Sequence, residues 1–191
     1  PLALGGTKFG RIEGLKYPSS FRLPNDAELS ELLEIAKGSN INLVDTAPAY
    51  GNREERIGAL VGKDPHWIIA TKVGESFVDS RSIFDFTPVS IRNSVEQSRR
   101  LLGRDILDIV TLHLPDDDET VLQNNETITT LLDLQAKGII GQIGASTKTV
   151  VAGKLAAKTF DLVMIALNGT NQNQRSVLET AAAAKKGVLV K

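Results

Sequence analysis

Seven short apolar runs recur along this chain, and most of the intervals between them carry helical periodicity. The runs are Leu2–Leu4, Ile41–Val44, Trp67–Ala70, Leu107–Leu112, Ile139–Ile143, Leu162–Ile165 and Val188–Val190. They are continuous rather than alternating, which is the pattern of strands buried on both faces. Strand and helix alternating without a long polar linker require parallel strands joined by right-handed crossovers. This one pattern excludes sandwiches, bundles and antiparallel sheets.

The helical intervals have readable ends. Asn25 with Glu28 forms a capping-box signature opening a helix through Ala36, with Gly38 as its stop. Thr87-Pro88 opens a helix that runs to Gly103, because proline suits the first helical position. Further helices are expected from about Asn125 to Ala136 before Gly138, from about Asn173 to Lys186 before Gly187, and over Arg53–Val61 and Thr149–Ala157.

Two architectures satisfy the alternation. An open doubly wound sheet would carry a glycine-rich turn after its first strand, but Gly5-Gly6-Thr7-Lys8-Phe9-Gly10 lacks the G-x-G-x-x-G spacing. The other is a (β/α)8 TIM barrel, which needs roughly 250 residues. The chain has 191 residues, so it is read as one barrel domain over residues 1–191 with seven of the eight units. It begins at Pro1 without a methionine and stops directly after an apolar run, so residues are expected beyond both ends, and the domain is read as truncated at its C-terminus.

Composition narrows the function. Lys+Arg number 22 against 23 Asp+Glu, and no basic block could neutralise a row of phosphates, so neither nucleic acid nor an anionic membrane is an expected partner. There is no cysteine, which removes disulfides, thiolate metal sites and cysteine nucleophiles and suits a reducing, cytoplasmic location. No apolar stretch reaches the roughly 18 residues a membrane helix needs.

In parallel barrels the chemistry gathers at the C-terminal ends of strands. Three apolar runs there deliver an ionisable group: Asp45, Lys72 and His113. Tyr50 follows Asp45 on a Pro- and Gly-bounded loop and is expected over the same mouth. Together they form a proton-donating system, in which the ammonium is expected to lower the Tyr50 pKa and the carboxylate to keep Lys72 charged. Each also has a plainer reading: Asp45 as a backbone cap, Tyr50 as packing and His113 as a structural histidine, whereas Lys72 would be costly to bury without a partner. His66 lies at the opposite strand end and is read as surface. Asp116-Asp117-Asp118-Glu119 lacks calcium-loop spacing and is read as a solvated acidic loop; no metal site is expected.

Asp45-Thr46-Ala47-Pro48-Ala49-Tyr50-Gly51 with Glu54-Glu55, Thr71-Lys72, Leu112-His113 and Ile143-Gly144-Ala145-Ser146 together resemble the aldo-keto reductases, in order and along essentially the whole chain. The resemblance implies a (β/α)8 barrel that moves a hydride between a nicotinamide cofactor and a carbonyl. Tyr50 would be the general acid, Lys72 and Asp45 its tuning pair, and His113 the donor that orients the carbonyl. Asp45, Ser146, Thr147 and Asn168 would contact the cofactor, with Thr147 standing where the family commonly has asparagine. NADP(H) is implied ahead of NAD(H), although the phosphate-gripping segment would lie after the seventh strand, so none is expected bound to residues 1–191. The substrate would be a small aldehyde, ketone or sugar, since Phe84-Asp85-Phe86-Thr87-Pro88 and Gly187–Lys191 are similar to members that include sugar dehydrogenases. A monomer suffices for such a reaction. The alternative is a regulatory barrel that binds the cofactor with little turnover. Gly74–Thr87 and Leu114–Asn125 are expected as specificity loops.

Overall fold

The computed structural model of the protein describes residues 1–10 and 22–191. Its main sheet has seven strands: β1 (Leu4–Gly5), β2 (Leu43–Asp45), β3 (Ile68–Val73), β6 (Leu107–His113), β7 (Ile140–Ser146), β8 (Leu162–Ile165) and β9 (Gly187–Val190). They lie in sequence order and every pairing is parallel. A separate antiparallel hairpin, β4 (Glu75–Val78) and β5 (Arg81–Phe84), is inserted after β3. The main sheet curls until residues of both edges, among them Leu2, Gly5, Asp45, Met164, Leu189 and Lys191, line one cavity of ≈ 540 Å³.

Seven helices accompany the strands: α1 (Asp26–Gly38), α2 (Arg53–Val61), α3 (Pro88–Leu102), α4 (Asp118–Leu122), α5 (Asn125–Ala136), α6 (Val150–Thr159) and α7 (Arg175–Ala183). In α3 the Thr87 hydroxyl accepts from Ser90 N at 3.3 Å, and Gly103 takes the left-handed conformation at φ 64° that ends the helix. Its buried positions are Ile91, Val95, Ser98 and Leu102, a 4-3-4 spacing that keeps one stripe against the sheet. A Cβ on Gly58 would lie 2.0 Å from Leu101 O, so α2 and α3 approach as closely as they do only because that position is glycine.

Helix ends differ from expectation in α1, α6 and α7, with α6 running on to Thr159 rather than ending at Ala157. The Asn25–Glu28 capping box is present in both directions, but Gly38 lies inside α1 and Asn40 takes the left-handed turn at φ 60°. Likewise α7 is Arg175–Ala183 rather than 173–186, because Lys185 turns left-handed at φ 56° and leaves Gly187 free to begin β9. In both α1 and α7 a non-glycine residue accepted the strained conformation, at a cost of order 1 kcal/mol.

Continuous burial of β8 and of Ile69–Val73 matches strands covered on both faces. Trp67, Ile69, Val110, Leu112, Ile143, Val163, Leu131 and Val177 belong to the single apolar cluster between sheet and helices. This core fixes the strand ends whose polar residues follow.

Candidate active site

Asp45 and Lys72 end β2 and lie near the end of β3, adjacent parallel strands. Lys72 Nζ donates to both Asp45 carboxylate oxygens, at 2.6 and 2.7 Å, and to Thr46 O at 2.8 Å. Lys72 is only 2% exposed. Burial pulls its ammonium below the usual lysine pKa, and the Asp45 carboxylate opposes that pull. A second buried carboxylate, Glu54 at the start of α2, accepts from Thr71 Oγ1 at 2.5 Å. Its pKa is raised, chiefly by burial.

Tyr50 closes the short turn Pro48–Tyr50 after β2. Lys72 Nζ lies 5.2 Å from its ring centroid and the Arg53 guanidinium carbon lies 4.2 Å away, a cation–π distance. The His113 ring meets it edge-on with centroids 5.8 Å apart. Asp45, Tyr50, Lys72 and His113 therefore form one cluster at the C-terminal strand ends.

The electrostatics reverse one expectation. The Tyr50 pKa is not lowered; it is pushed up to about 12, first by burial and then by the Asp45 carboxylate, with Glu75 adding to both and Arg53 and a hydrogen bond to Thr7 opposing. The physical reason is that Lys72 spends its charge on Asp45, with which it is in direct contact, so the phenol senses the carboxylate and the loss of water.

Burial also dominates His113, whose pKa lies below the ordinary histidine value while Glu75 works against the shift. Its Nδ1 sits 2.5 Å from Glu75 Oε2. Lys191, following β9, turns its ammonium inward and donates to Ser146 Oγ at 2.6 Å. Ser146, 1% exposed, ends β7.

The remaining expected cofactor contacts sit differently. Thr147 N donates to Met164 O at 3.0 Å, which fastens the end of β7 to β8. Asn168 Oδ1 accepts from Thr170 N, Thr170 Oγ1 and Asn171 N, an arrangement that shapes its own loop. The donors offered to a carboxamide oxygen at this mouth are the Ser146 hydroxyl and the Lys191 ammonium, a set that fits the amide end of a nicotinamide.

Sequence reasoning missed Arg53, Glu54, Glu75 and Lys191. A buried carboxylate or guanidinium opening a helix is visible only once its burial is known. It also misread Asp118, which is no solvated charge: it is fully buried, and its carboxylate accepts from Lys148 N at 2.7 Å, Thr149 N at 2.9 Å and Thr149 Oγ1 at 2.9 Å. His66 is half-buried rather than fully at the surface, with Nε2 3.1 Å from Ile41 O. Among the described residues no cluster of His, Asp and Glu has the makings of a metal site.

The aldo/keto reductase family model matches residues 1–190. This chain belongs to that family. A solved Pseudomonas aeruginosa protein, provisionally assigned as an aldo-keto reductase, superposes with a TM-score of 0.91 at 43% identity, covering 100% of this chain and 72% of that one. D-threo-aldose 1-dehydrogenase of a Pseudomonas species is 29% identical over 189 residues, 86% of this chain and 56% of the relative. The NADH-specific methylglyoxal reductase of Escherichia coli K12 is 33% identical over 120 residues, 56% of this chain and 37% of the relative. The chain spans about half the length of the curated relatives it matches. The curled seven-stranded parallel sheet is accordingly seven strands of a (β/α)8 barrel.

Proposed function

We propose that this aldo-keto reductase chain interconverts a small carbonyl compound and its alcohol, with Tyr50 giving the proton to the carbonyl oxygen in reduction and taking it back in oxidation. The observation that carries the reading is the Asp45–Lys72 ion pair packed beside Tyr50, with His113 against the other side of the phenol. A tyrosine held at about pH 12 remains a protonated donor throughout the physiological range. His113 orients the carbonyl oxygen toward the phenol. Lys72 and Asp45 hold the cluster in place, and together they add no net charge to it.

A nicotinamide dinucleotide, when bound, would supply the hydride, which carries both electrons of the reduction, while the protein supplies the proton. Ser146 would hold its amide, with Lys191 beside that hydroxyl and Asp45 at the edge of the same cavity. Thr147 and Asn168, which the resemblance also implied, are engaged in fastening β7 to β8 and in shaping the loop after β8, so Ser146 carries the proposed contact. NADP(H) is the favoured form on the family resemblance, although one relative is named for NADH. Aldoses and methylglyoxal are the first substrates to try, because relatives are named for them. No described helix is long and apolar enough to cross a membrane, and a cytoplasmic site of action is part of the reading.

The test follows nicotinamide absorbance with each dinucleotide, using methylglyoxal for reduction and aldoses for oxidation. Tyr50→Phe should lower kcat by roughly 10²–10⁴ with cofactor affinity nearly unchanged, since it removes a proton donor and no binding contact. Near-wild-type kcat in that variant would remove Tyr50 from the role.

A further inference from the structure

We propose that Glu75 is a positioning residue for His113, gripping Nδ1 so that the ring's protonation and the direction of its Nε2 toward the reacting carbonyl are set by the hairpin. The proposal rests on the reading of His113 as the residue that orients the carbonyl.

The geometry begins at Gly74, whose φ of +97° turns the chain out of β3, and where a Cβ would lie 2.1 Å from the Phe86 ring. The turn delivers Glu75 as the first residue of β4, only 10% of its side chain exposed. One carboxylate oxygen reaches His113 Nδ1 at 2.5 Å, and the other accepts from Ser82 Oγ of β5 at 2.5 Å. The carboxylate is thus held by the Ser82 hydroxyl of its own hairpin and presented to the ring at ion-pair distance, although the Nδ1 contact lacks the direction of a good hydrogen bond. Long side chains seldom hold one rotamer without such an attachment.

The titratable groups facing the ring are Glu75 from β4, Lys72 from β3, Lys191 after β9 and the Tyr50 phenol from the loop after β2. Both lysines disfavour charge on the ring, and Glu75 opposes them. A histidine and a carboxylate this close titrate as a pair. With one proton on the pair, whether written as imidazolium and carboxylate or as imidazole and carboxylic acid, Nε2 carries a hydrogen and can donate to a carbonyl oxygen. When that proton leaves, Nδ1 keeps the remaining hydrogen, facing the carboxylate, and Nε2 becomes an acceptor that can no longer donate to the carbonyl oxygen. Glu75 therefore sets the pH range over which Nε2 can donate to the carbonyl oxygen.

The test is Glu75→Gln in the whole protein, read by long-range ¹H–¹⁵N spectra of the imidazoles against pH; the chain has two histidines, and His66→Gln assigns them. The expected result is a His113 pKa lower by about one unit or more, the scale of losing an opposite charge at contact distance. The alkaline-side limb of kcat/KM for carbonyl reduction should move to lower pH by the same amount, with the KM for the dinucleotide unchanged. Glu75→Asp, which retracts the carboxylate but keeps its charge, should shift the titration less than Glu75→Gln. An unmoved His113 titration in both variants overturns the proposal, as does lost activity with the pH limb in place. Should the wild type turn over no carbonyl compound, the functional reading fails, while the ring titration still decides whether Glu75 controls His113.

Discussion

Lysines stand at the ends of β3 and β9 in opposite circumstances. At β3, Lys72 is buried and its charge is balanced by a carboxylate held in two short contacts, with a backbone carbonyl taking a further proton. At β9, Lys191 is an exposed residue whose ammonium turns inward; it donates to the neutral Ser146 hydroxyl, and partial burial of the ammonium together with Lys72 presses its pKa downward while Asp45 opposes. The first region is complete, because its charges are satisfied by the chain's own residues. In the second, a cation meets a neutral hydroxyl, and among the described residues no carboxylate stands within ion-pair distance of it.

Removing the paired lysine should break this contrast most strongly. Lys72→Met leaves Asp45 beside an apolar neighbour and is expected to cost about 3–5 kcal/mol in urea unfolding, the range for one partner lost from a buried pair. Asp45→Asn with Lys72→Met should recover a good part of that stability without recovering turnover. If the single variant is as stable as wild type, the pair is not what holds this corner.

On the β7–β9 side, one buried carboxylate does have full partners. Asp118→Ala removes the acceptor of three donors in the loop after β7 and should cost about 1–3 kcal/mol, measured by the same unfolding curve. A smaller loss would mean that water replaces the carboxylate there.

Alkaline titration sharpens the comparison near Lys72. The folded Tyr50 pKa is raised, so the neutral phenol is favoured by folding; its contribution to stability is whole below pH 10 and is lost as pH rises through about 12. Phenolate absorbance should accordingly show Tyr50 ionising about two units above an ordinary tyrosine, identified by the signal missing in Tyr50→Phe. Ionisation near pH 10 would mean that a cation outweighs burial after all.

The smallest effect is expected at β9. Lys191→Met should change stability by no more than about 0.5 kcal/mol, as for substitutions outside a paired network. Dinucleotide affinity, read by nicotinamide fluorescence, should fall nonetheless. A large stability loss would put Lys191 in the same class as Lys72.

The sequence carried the fold because parallel strands buried on both faces write themselves as uninterrupted apolar runs, and Asp45, Lys72 and His113 were legible as the polar residues that end them. What stayed hidden depended on partners far along the chain. Asp118 finds its donors about thirty residues later. Glu75, just after β3, finds His113 at the end of the neighbouring strand β6, 38 residues on in sequence, and the direction of the Tyr50 shift follows from burial that no local pattern encodes. The hairpin after β3 was missed for a local reason: its turn uses Asp79 and Ser80, both at positive φ, where glycine or asparagine would have announced it.

Asp118 ties two neighbouring strand-end loops together, since it belongs to the loop after β6 and binds the backbone after β7. Anyone regrafting the Leu114–Asn125 loop to alter specificity inherits that tether. A transplanted loop of the right length but without a carboxylate in register would release Lys148 and Thr149, and with them the approach to Ser146. The loops around this mouth are thus exchangeable only in pairs, and a library that varies them jointly should yield more folded variants than one that varies each alone.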